Sequence, residues 1–228
     1  ACEEVGIHSV TKVFPEDVSF GAIISYIKEL NADKSVDGIL VQLPLPQRLA
    51  VYTEAILSAI DSSKDVDGFK DDNAGKVSKG KINGFVPCTP NGIMTLLNYY
   101  NLDVAGKHCV VVGRSNIVGK PIAQLLLNKN ATVTICHSET IDLPSYTRSA
   151  DILISAVGKP NFITKHMVKP GAIIVDVGIN SVDGHLCGDV YKDVADVASY
   201  LTPVPGGVGP MTIAMLLQNT YIAACHNL

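Results

Sequence analysis

The sequence predicts an α/β protein of two lobes, the second built on a doubly wound parallel sheet. Three observations carry that prediction. Short unbroken apolar runs alternate with stretches of helical periodicity, the pattern of βαβ units. Four such runs, His108–Val112, Thr132–Cys136, 152–156 and 172–175, lie in the second half of the chain as candidate buried strands. Residues 61–90 are dense in Asp, Gly and Lys turn material and read as loops between two domains.

Taken in order, residues 20–31 place Ile23, Ile27 and Leu30 at helical spacing, giving one buried face. The run Gly38-Ile39-Leu40-Val41-Gln42 suits a strand buried on both faces, and 52–60 is again helix-like. After Thr89-Pro90-Asn91, the residues Ile93, Leu96, Leu97 and Tyr100 mark an amphipathic helix with proline near its start. A helix over 120–128 separates the first two strands of the second lobe, and shorter helical or irregular segments separate the others. Residues 211–225 are apolar enough to pack as a helix but are broken by Thr212, Gln218, Asn219 and Thr220. There is no internal repeat and no low-complexity segment.

Composition narrows the function. A chain of 228 residues, 47% hydrophobic and 18% charged, can bury a core without disulfides or metals and is too apolar to be disordered. Its net charge of −4 gives no reason to expect nucleic acid or a membrane surface as partner. Every long apolar window meets polar residues before the ~18 residues a membrane span needs. The six cysteines contain no C-x-x-C pair, and Cys109 and Cys136 read as small buried hydrophobes. The expected compartment is therefore reducing and cytoplasmic. Six dispersed histidines offer no metal-ligand spacing, so no metal site is expected. The chain opens Ala1-Cys2-Glu3-Glu4, with no initiator Met and no visible targeting segment.

Three motifs carry chemistry. In Val110-Val111-Val112-Gly113-Arg114-Ser115-Asn116-Ile117-Val118-Gly119, a strand enters a turn and a helix opens near Gly119. Such a helix start offers unpaired amides and a positive dipole end to a pyrophosphate. Ser115 stands where G-x-G-x-x-G has its second glycine, and its hydroxyl can itself donate to a phosphate. About 20 residues beyond the first glycine, NAD sites place an acid for the ribose 2′-hydroxyl. Here the chain reads Cys136-His137-Ser138, and Arg114 with Ser138 suits a 2′-phosphate instead, favouring NADP. Glu139 is discordant with that reading, and His137 and Ser138 also fit a simple cap of the next segment.

The second motif is Gln42-Leu43-Pro44-Leu45-Pro46, an amide at the carboxyl end of an apolar strand, where α/β sheets place ligands. Local backbone could equally satisfy Gln42. Nearby, Lys64-Asp65-Val66-Asp67-Gly68-Phe69 lacks the Ca²⁺-loop pattern. It reads as a turn, or as a site where Asp67 hydrogen-bonds a flat nitrogen heterocycle. The third motif, 202–212, has three prolines and three glycines in eleven residues. Its backbone is of fixed shape and open to a ligand, or forms a tight turn before a helix.

Together and in this order, these motifs resemble the bifunctional methylenetetrahydrofolate dehydrogenase/methenyltetrahydrofolate cyclohydrolase family. The resemblance rests on 37–46, 64–69, Pro87-Cys88-Thr89-Pro90, 113–121, Asp176-Val177-Gly178-Ile179-Asn180 and 202–212, and it spans the whole chain. It implies two α/β lobes around a cleft, the second of Rossmann type. Residues 1–89, completed by the final helix over 210–228, would form the folate-binding lobe, and 90–209 the NADP-binding domain. The implied reaction is oxidation of 5,10-methylenetetrahydrofolate with NADP, then hydrolysis of the methenyl product to 10-formyltetrahydrofolate. That places the protein in one-carbon metabolism, including purine biosynthesis, as a homodimer joined through the nucleotide-binding lobes.

The resemblance also assigns roles. Asp67 would hold the pterin and Gln42 would orient the catalytic base. Leu43, Pro44, Pro205, Gly206 and Gly207 would line the substrate. Gly113, Arg114, Ser115, Gly119, His137, Ser138, Val157, Gly158 and Ile179 would hold NADP. Family members carry a Tyr-x-x-x-Lys helix just before the segment matching Ala1–Ile7, and that lysine is central to hydrolysis. It is absent from these 228 residues, and the resemblance implies an N-terminal segment beyond them and little cyclohydrolase activity from the 228 residues alone. The competing readings are a catalytically impaired NADP-binding interaction protein derived from the family, and a shikimate-type dehydrogenase. The latter does not account for 37–46 or 205–210.

Overall fold

The computed structural model describes residues 1–81 and 83–227. In the N-terminal part, α1 (Phe20–Ala32) starts at Ser19, whose Oγ accepts the amide of Ala22. The short helices α2 (Gln47–Ala50) and α3 (Thr53–Ser58) follow. Ile23 and Ile27 of α1 pack with Ile39, Leu49, Ile56 and Ile60 as one core cluster.

The 38–42 run departs from expectation. It forms a single parallel bridge, Ile39 to Asp65, rather than a strand, and Leu40 is 43% exposed. A strand buried on both faces needs ladders on both edges and cover above and below. This run has one partner segment, so Ile39 is buried while Leu40 and Gln42 face out. Residues 61–90 also exceed the loop expectation, because α4 (Asp71–Ser78) forms within them. Asp71 and Asp72 occupy its first turn, where the helix dipole favours negative charge. Buried Lys64 donates from Nζ to the carbonyls of Leu30 and Asp33, tying this segment to the end of α1.

Helix α5 (Cys88–Tyr99) begins at Cys88, earlier than Thr89-Pro90-Asn91 suggested, and buries Ile93 and Leu97. Next come β1 (His108–Val112), α6 (Gly119–Asn128), β2 (Thr132–Cys136), α7 (Leu143–Thr147), β3 (Ile152–Ser155) and β4 (Ile173–Asp176). Two short elements not foreseen, β5 (Asn180–Val182) and β6 (His185–Cys187), pair as an antiparallel hairpin. Its turn, Asp183-Gly184, has positive φ at both residues (50° and 78°), the geometry that D-G dipeptides favour. The short β7 (Tyr200–Leu201) completes a five-stranded parallel sheet of order β2-β1-β3-β4-β7.

Alternation along β1 sends Cys109 and Val111 into one core with Ile93, Ile122 and Leu126. Val110 and Val112 enter another core with Leu153, Ile163, Ile174 and Val194. β2 is an edge strand, with Thr132 and Ile135 exposed, not the buried strand its apolar run suggested. Having only one neighbour, it needs an apolar surface on fewer sides. Helix α8 (Val208–Asn227) runs unbroken through its polar residues: Gln218 faces solvent, and Thr212, Asn219 and Thr220 have local or tertiary acceptors. Thr212 and Thr220 donate to the carbonyls four residues back, and Asn219 reaches the backbone of the N-terminal part. Among the described residues, no helix is long and apolar enough to cross a membrane.

Candidate functional site

Parallel register brings the strand ends to one edge of the sheet. Val112 pairs with both Cys136 and Ser155, and Ser155 with Asp176. The segments starting at Gly113, His137, Ala156 and Val177 therefore all emerge at the carboxyl edge. Strand order reverses between β1 and β3, and ligands of open α/β sheets bind at such a switch point. The turn after β1 lies directly against the loop after β3. Gly113 has φ 126°, and a Cβ there would strike the Ala156 carbonyl. A Cβ on Gly119 would run into the Gly113 carbonyl, so both glycines are fixed by close approach.

The start of α6 differs from expectation. Ser115 Oγ accepts the amides of Val118 and Gly119, each at 3.2 Å, and the Ser115 carbonyl accepts Lys120 N at 3.0 Å. The helix amides are thus already paired, and Pro121 has none. The amides left without a protein acceptor are those of Arg114, Ser115, Asn116 and Ile117, in the exposed turn itself. Ser115, accepting twice, keeps its hydroxyl hydrogen free to donate. The unpaired donors therefore lie in the turn, with the exposed Arg114 guanidinium beside them in sequence.

At the end of β2, His137 N donates to Thr140 Oγ1 (2.8 Å) and Glu139 N donates to His137 Nδ1 (3.3 Å). Ser138 Oγ donates to Glu139 Oε1 at 3.1 Å. His137 thus closes a turn, while Ser138 and Glu139 form an exposed pair. The amides of Val157 and Gly158 are taken by Asp189. Ile179 is 66% exposed, near Gly209 at the start of α8.

A second group gathers around Asp67. The parallel bridge between Ile39 and Asp65 puts Gln42 and Asp67 at the same end of two adjacent segments. Gln42 is exposed, and its Nε2 donates to the neighbouring Leu43 carbonyl at 2.9 Å. The Leu43–Pro44 and Val204–Pro205 peptide bonds are both cis. Asp65 is buried and pins the turn that bears Asp67. Its carboxylate accepts Phe69 N (3.2 Å), Lys70 N (2.9 Å) and Asn73 Nδ2 (2.8 Å). Burial, and next the Asp65 carboxylate, push Asp67 up to about 6, while a hydrogen bond from the Cys88 thiol pulls the other way. Burial first, then Asp67, push Cys88 up to about 12, so it remains a thiol and a donor.

Contacts from α8, which continues the 202–212 segment, reach this group. Thr89 Oγ1 and Thr212 Oγ1 are 2.8 Å apart. Asn219 Nδ2 donates to the Val66 carbonyl at 2.8 Å and the Val86 carbonyl at 3.0 Å. Within that loop Pro205 and Gly206 are exposed and Gly207 is buried. A cavity of about 170 Å³ lined by Lys107, Asp151 and Lys169 lies at the opposite, amino-terminal edge of the sheet, away from every residue discussed above.

Sequence reasoning missed Asp65, Asn73, Asp189 and Asn219. Each is a buried polar residue that holds backbone groups: Asp65 and Asn73 those of the turn and segment that follow, Asp189 and Asn219 those of segments distant in sequence. The only usable signal was the Asp183-Gly184 hairpin turn, which returns the chain so that Asp189 meets the end of β4.

Comparison with known proteins matches this geometry. Residues 1–67 match the catalytic domain of tetrahydrofolate dehydrogenase/cyclohydrolase, and residues 87–228 match its NAD(P)-binding domain. The bifunctional protein FolD of Chlorobium limicola is 56% identical over 233 residues, covering 96% of this chain and 78% of that protein. The crystal structure of FolD from Campylobacter jejuni superposes with a TM-score of 0.96 at 51% identity, over 100% of this chain and 80% of that one. Trypanosoma brucei FolD, solved with NADP and an inhibitor, gives a TM-score of 0.92 at 38% identity, over 99% of this chain and 79% of that one. The chain belongs to the tetrahydrofolate dehydrogenase/cyclohydrolase family.

Proposed function

We infer that the protein oxidises 5,10-methylenetetrahydrofolate to 5,10-methenyltetrahydrofolate with NADP and hydrolyses the product to 10-formyltetrahydrofolate. The observation that carries this is the pairing of a dinucleotide turn at the β1/β3 switch point with a half-buried carboxylate, Asp67, bridged by α8. NADP, when bound, supplies the hydride acceptor. Residues of the chain do the rest. The free amides of 114–117, the Ser115 hydroxyl and the Arg114 guanidinium fit a phosphorylated dinucleotide, and Gly113 and Gly119 let the turn come close. Val157, Gly158 and Ile179 form the adjoining wall, and His137 and Ser138 border the adenosine end.

Asp67 accepts N–H groups of the pterin. Ionised above about 6, it is a charged acceptor at neutral pH, and its burial strengthens each bond. Gln42, Leu43 and Pro44 on one side and Pro205, Gly206 and Gly207 on the other hold the one-carbon bridge in line. Alignment is the main requirement of hydride transfer. Hydrolysis needs a water delivered to the methenyl carbon with a proton acceptor close by, and Gln42 orients that acceptor. On this reading 1–89 with 210–228 forms the folate lobe and 90–209 the cofactor domain, in a cytoplasmic homodimer. The test is NADP reduction dependent on methylenetetrahydrofolate, followed by absorbance. No reduction by the intact protein overturns the reading.

A further inference from the structure

Asp189 is fully buried at the carboxyl edge of the sheet, and among the described residues no cation pairs with it. Three consecutive backbone amides take up its charge instead. Its Oδ2 accepts Val157 N (2.7 Å), Gly158 N (3.1 Å) and, more weakly, Ser155 Oγ (3.4 Å). Its Oδ1 accepts Lys159 N (2.9 Å) and Asn180 Nδ2 (3.0 Å). Successive amides converging on one point form a nest that binds anions, phosphate included. Here a side chain of the protein fills it.

Asp176 secures Asp189 in turn. Its Oδ1 accepts Asp189 N (2.9 Å) and Gly178 N (3.0 Å), and its Oδ2 accepts Val190 N (2.9 Å). The two segments meet closely, since a Cβ on Gly188 would fall on the Asp176 carboxylate. The amide of Asp176 donates to Thr202 Oγ1 at 2.8 Å, and Thr202 opens the proline-rich loop. A continuous set of hydrogen bonds thus runs from that loop through two buried carboxylates to the loop after β3.

We propose that Asp189 is a positioning residue for the dinucleotide. By occupying the 157–159 nest it fixes the loop after β3 against the Gly113 turn. It also withholds those amides from phosphate, so that the pyrophosphate is left to the turn over 113–117. The proposal rests on the cofactor reading above. It predicts an effect larger on the nucleotide than on the folate, because Asp189 holds the loop after β3 directly and reaches the proline-rich loop only through Asp176 and Thr202.

The experiment compares wild type, D189A and D189N by fluorescence titration with NADPH, by KM for methylenetetrahydrofolate and by circular dichroism. D189A is expected to raise the NADPH Kd by about tenfold or more, with the folate KM within about twofold. Added formate, which refits the nest with a carboxylate, is expected to recover much of that loss. D189N keeps one acceptor oxygen and should fall between the two. A folded D189N with wild-type NADPH affinity overturns the proposal, as does a parallel rise in both constants that formate leaves unchanged. If D189A does not fold, the isosteric D189N decides by the same criterion. Wild type that binds no NADPH overturns the cofactor reading and this inference with it, whereas unaltered affinity in the variants overturns the inference alone.

Discussion

Replacing Asp67 by Asn should stabilise the protein at neutral pH while impairing folate turnover. The reasoning begins with burial, which together with Asp65 raises the Asp67 carboxyl from 3.8 to about 6. In the window from about pH 4 to about pH 6 the native state holds a proton that the unfolded chain has released. Stability is therefore fully present below the lower value, falls as pH rises through the window, and stays reduced above it. At full ionisation a displacement of that size is equivalent to about 3 kcal/mol. Solvent reaching the half-buried group trims this to about 2 kcal/mol.

D67N carries no such cost at any pH. Urea unfolding of both proteins at about pH 4 and about pH 7.5 isolates the effect, because pH-independent terms cancel between the two differences. The variant's advantage should grow by about 2 kcal/mol from the lower pH to the higher. An advantage that is the same at both values refutes the assignment of a desolvated, ionised Asp67. The same substitution removes the charged acceptor for the pterin, so KM for the folate should rise even as stability improves, the trade-off expected where a site holds a group against its preference.

Other substitutions probe the remaining parts. R114Q should raise KM for NADP by roughly 10–100-fold and leave NAD nearly unaffected, measured with both dinucleotides. G113A should cost at least about 2 kcal/mol and abolish NADPH binding, seen by thermal melting and titration, since φ 126° and the Ala156 carbonyl leave no room for a methyl. N219L should cost about 2 kcal/mol by stripping the Val66 and Val86 carbonyls of their donor. It should also raise the folate KM with NADPH affinity within about twofold, because Val66 immediately precedes Asp67.

The sheet was legible in the sequence because strands in its middle are covered on both faces, and an unbroken apolar run is the direct imprint of that cover. The same imprint misled at 38–42, where only Ile39 finds a partner, and at β2, which lies on the edge. Periodicity located α1, α5 and α6 but not the continuity of α8. Thr212 and Asn219 look like interruptions until their acceptors are known, and the acceptors of Asn219 lie more than a hundred positions earlier in the chain. The glycines of the 113–119 turn could be read because a tight strand-to-helix turn dictates them locally. Asp65, Asp176 and Asp189 could not, since an Asp in a polar stretch looks the same whether it faces water or a nest of backbone amides.

Those buried aspartates also order the electrostatics of the molecule. Asp33, Asp61 and Asp151 are exposed or nearly so, and hydrogen bonds, to Ser35, Ser63 and Lys169 respectively, hold their carboxyls below the ordinary range. Groups lowered in this way lend stability above their unfolded values and lose it as pH falls. Asp65, Asp67 and Asp176 are displaced upward, chiefly by burial, so their contribution is present at low pH and lost as pH rises. The upward set lies in the turn around Asp67 and at the carboxyl end of β4, while the lowered set lies near helix ends and at the amino edge of the sheet. Buried carboxylates that cost stability when ionised are retained where backbone amides must be held in fixed directions. A salt bridge could neutralise them, but a flexible cation would fix geometry less well than the amides of Gly178, Asp189 and Val190 that close on Asp176. Rising pH should accordingly loosen the segment after β4 before it loosens the middle of the sheet, and amide hydrogen exchange at 177–180 would register that order.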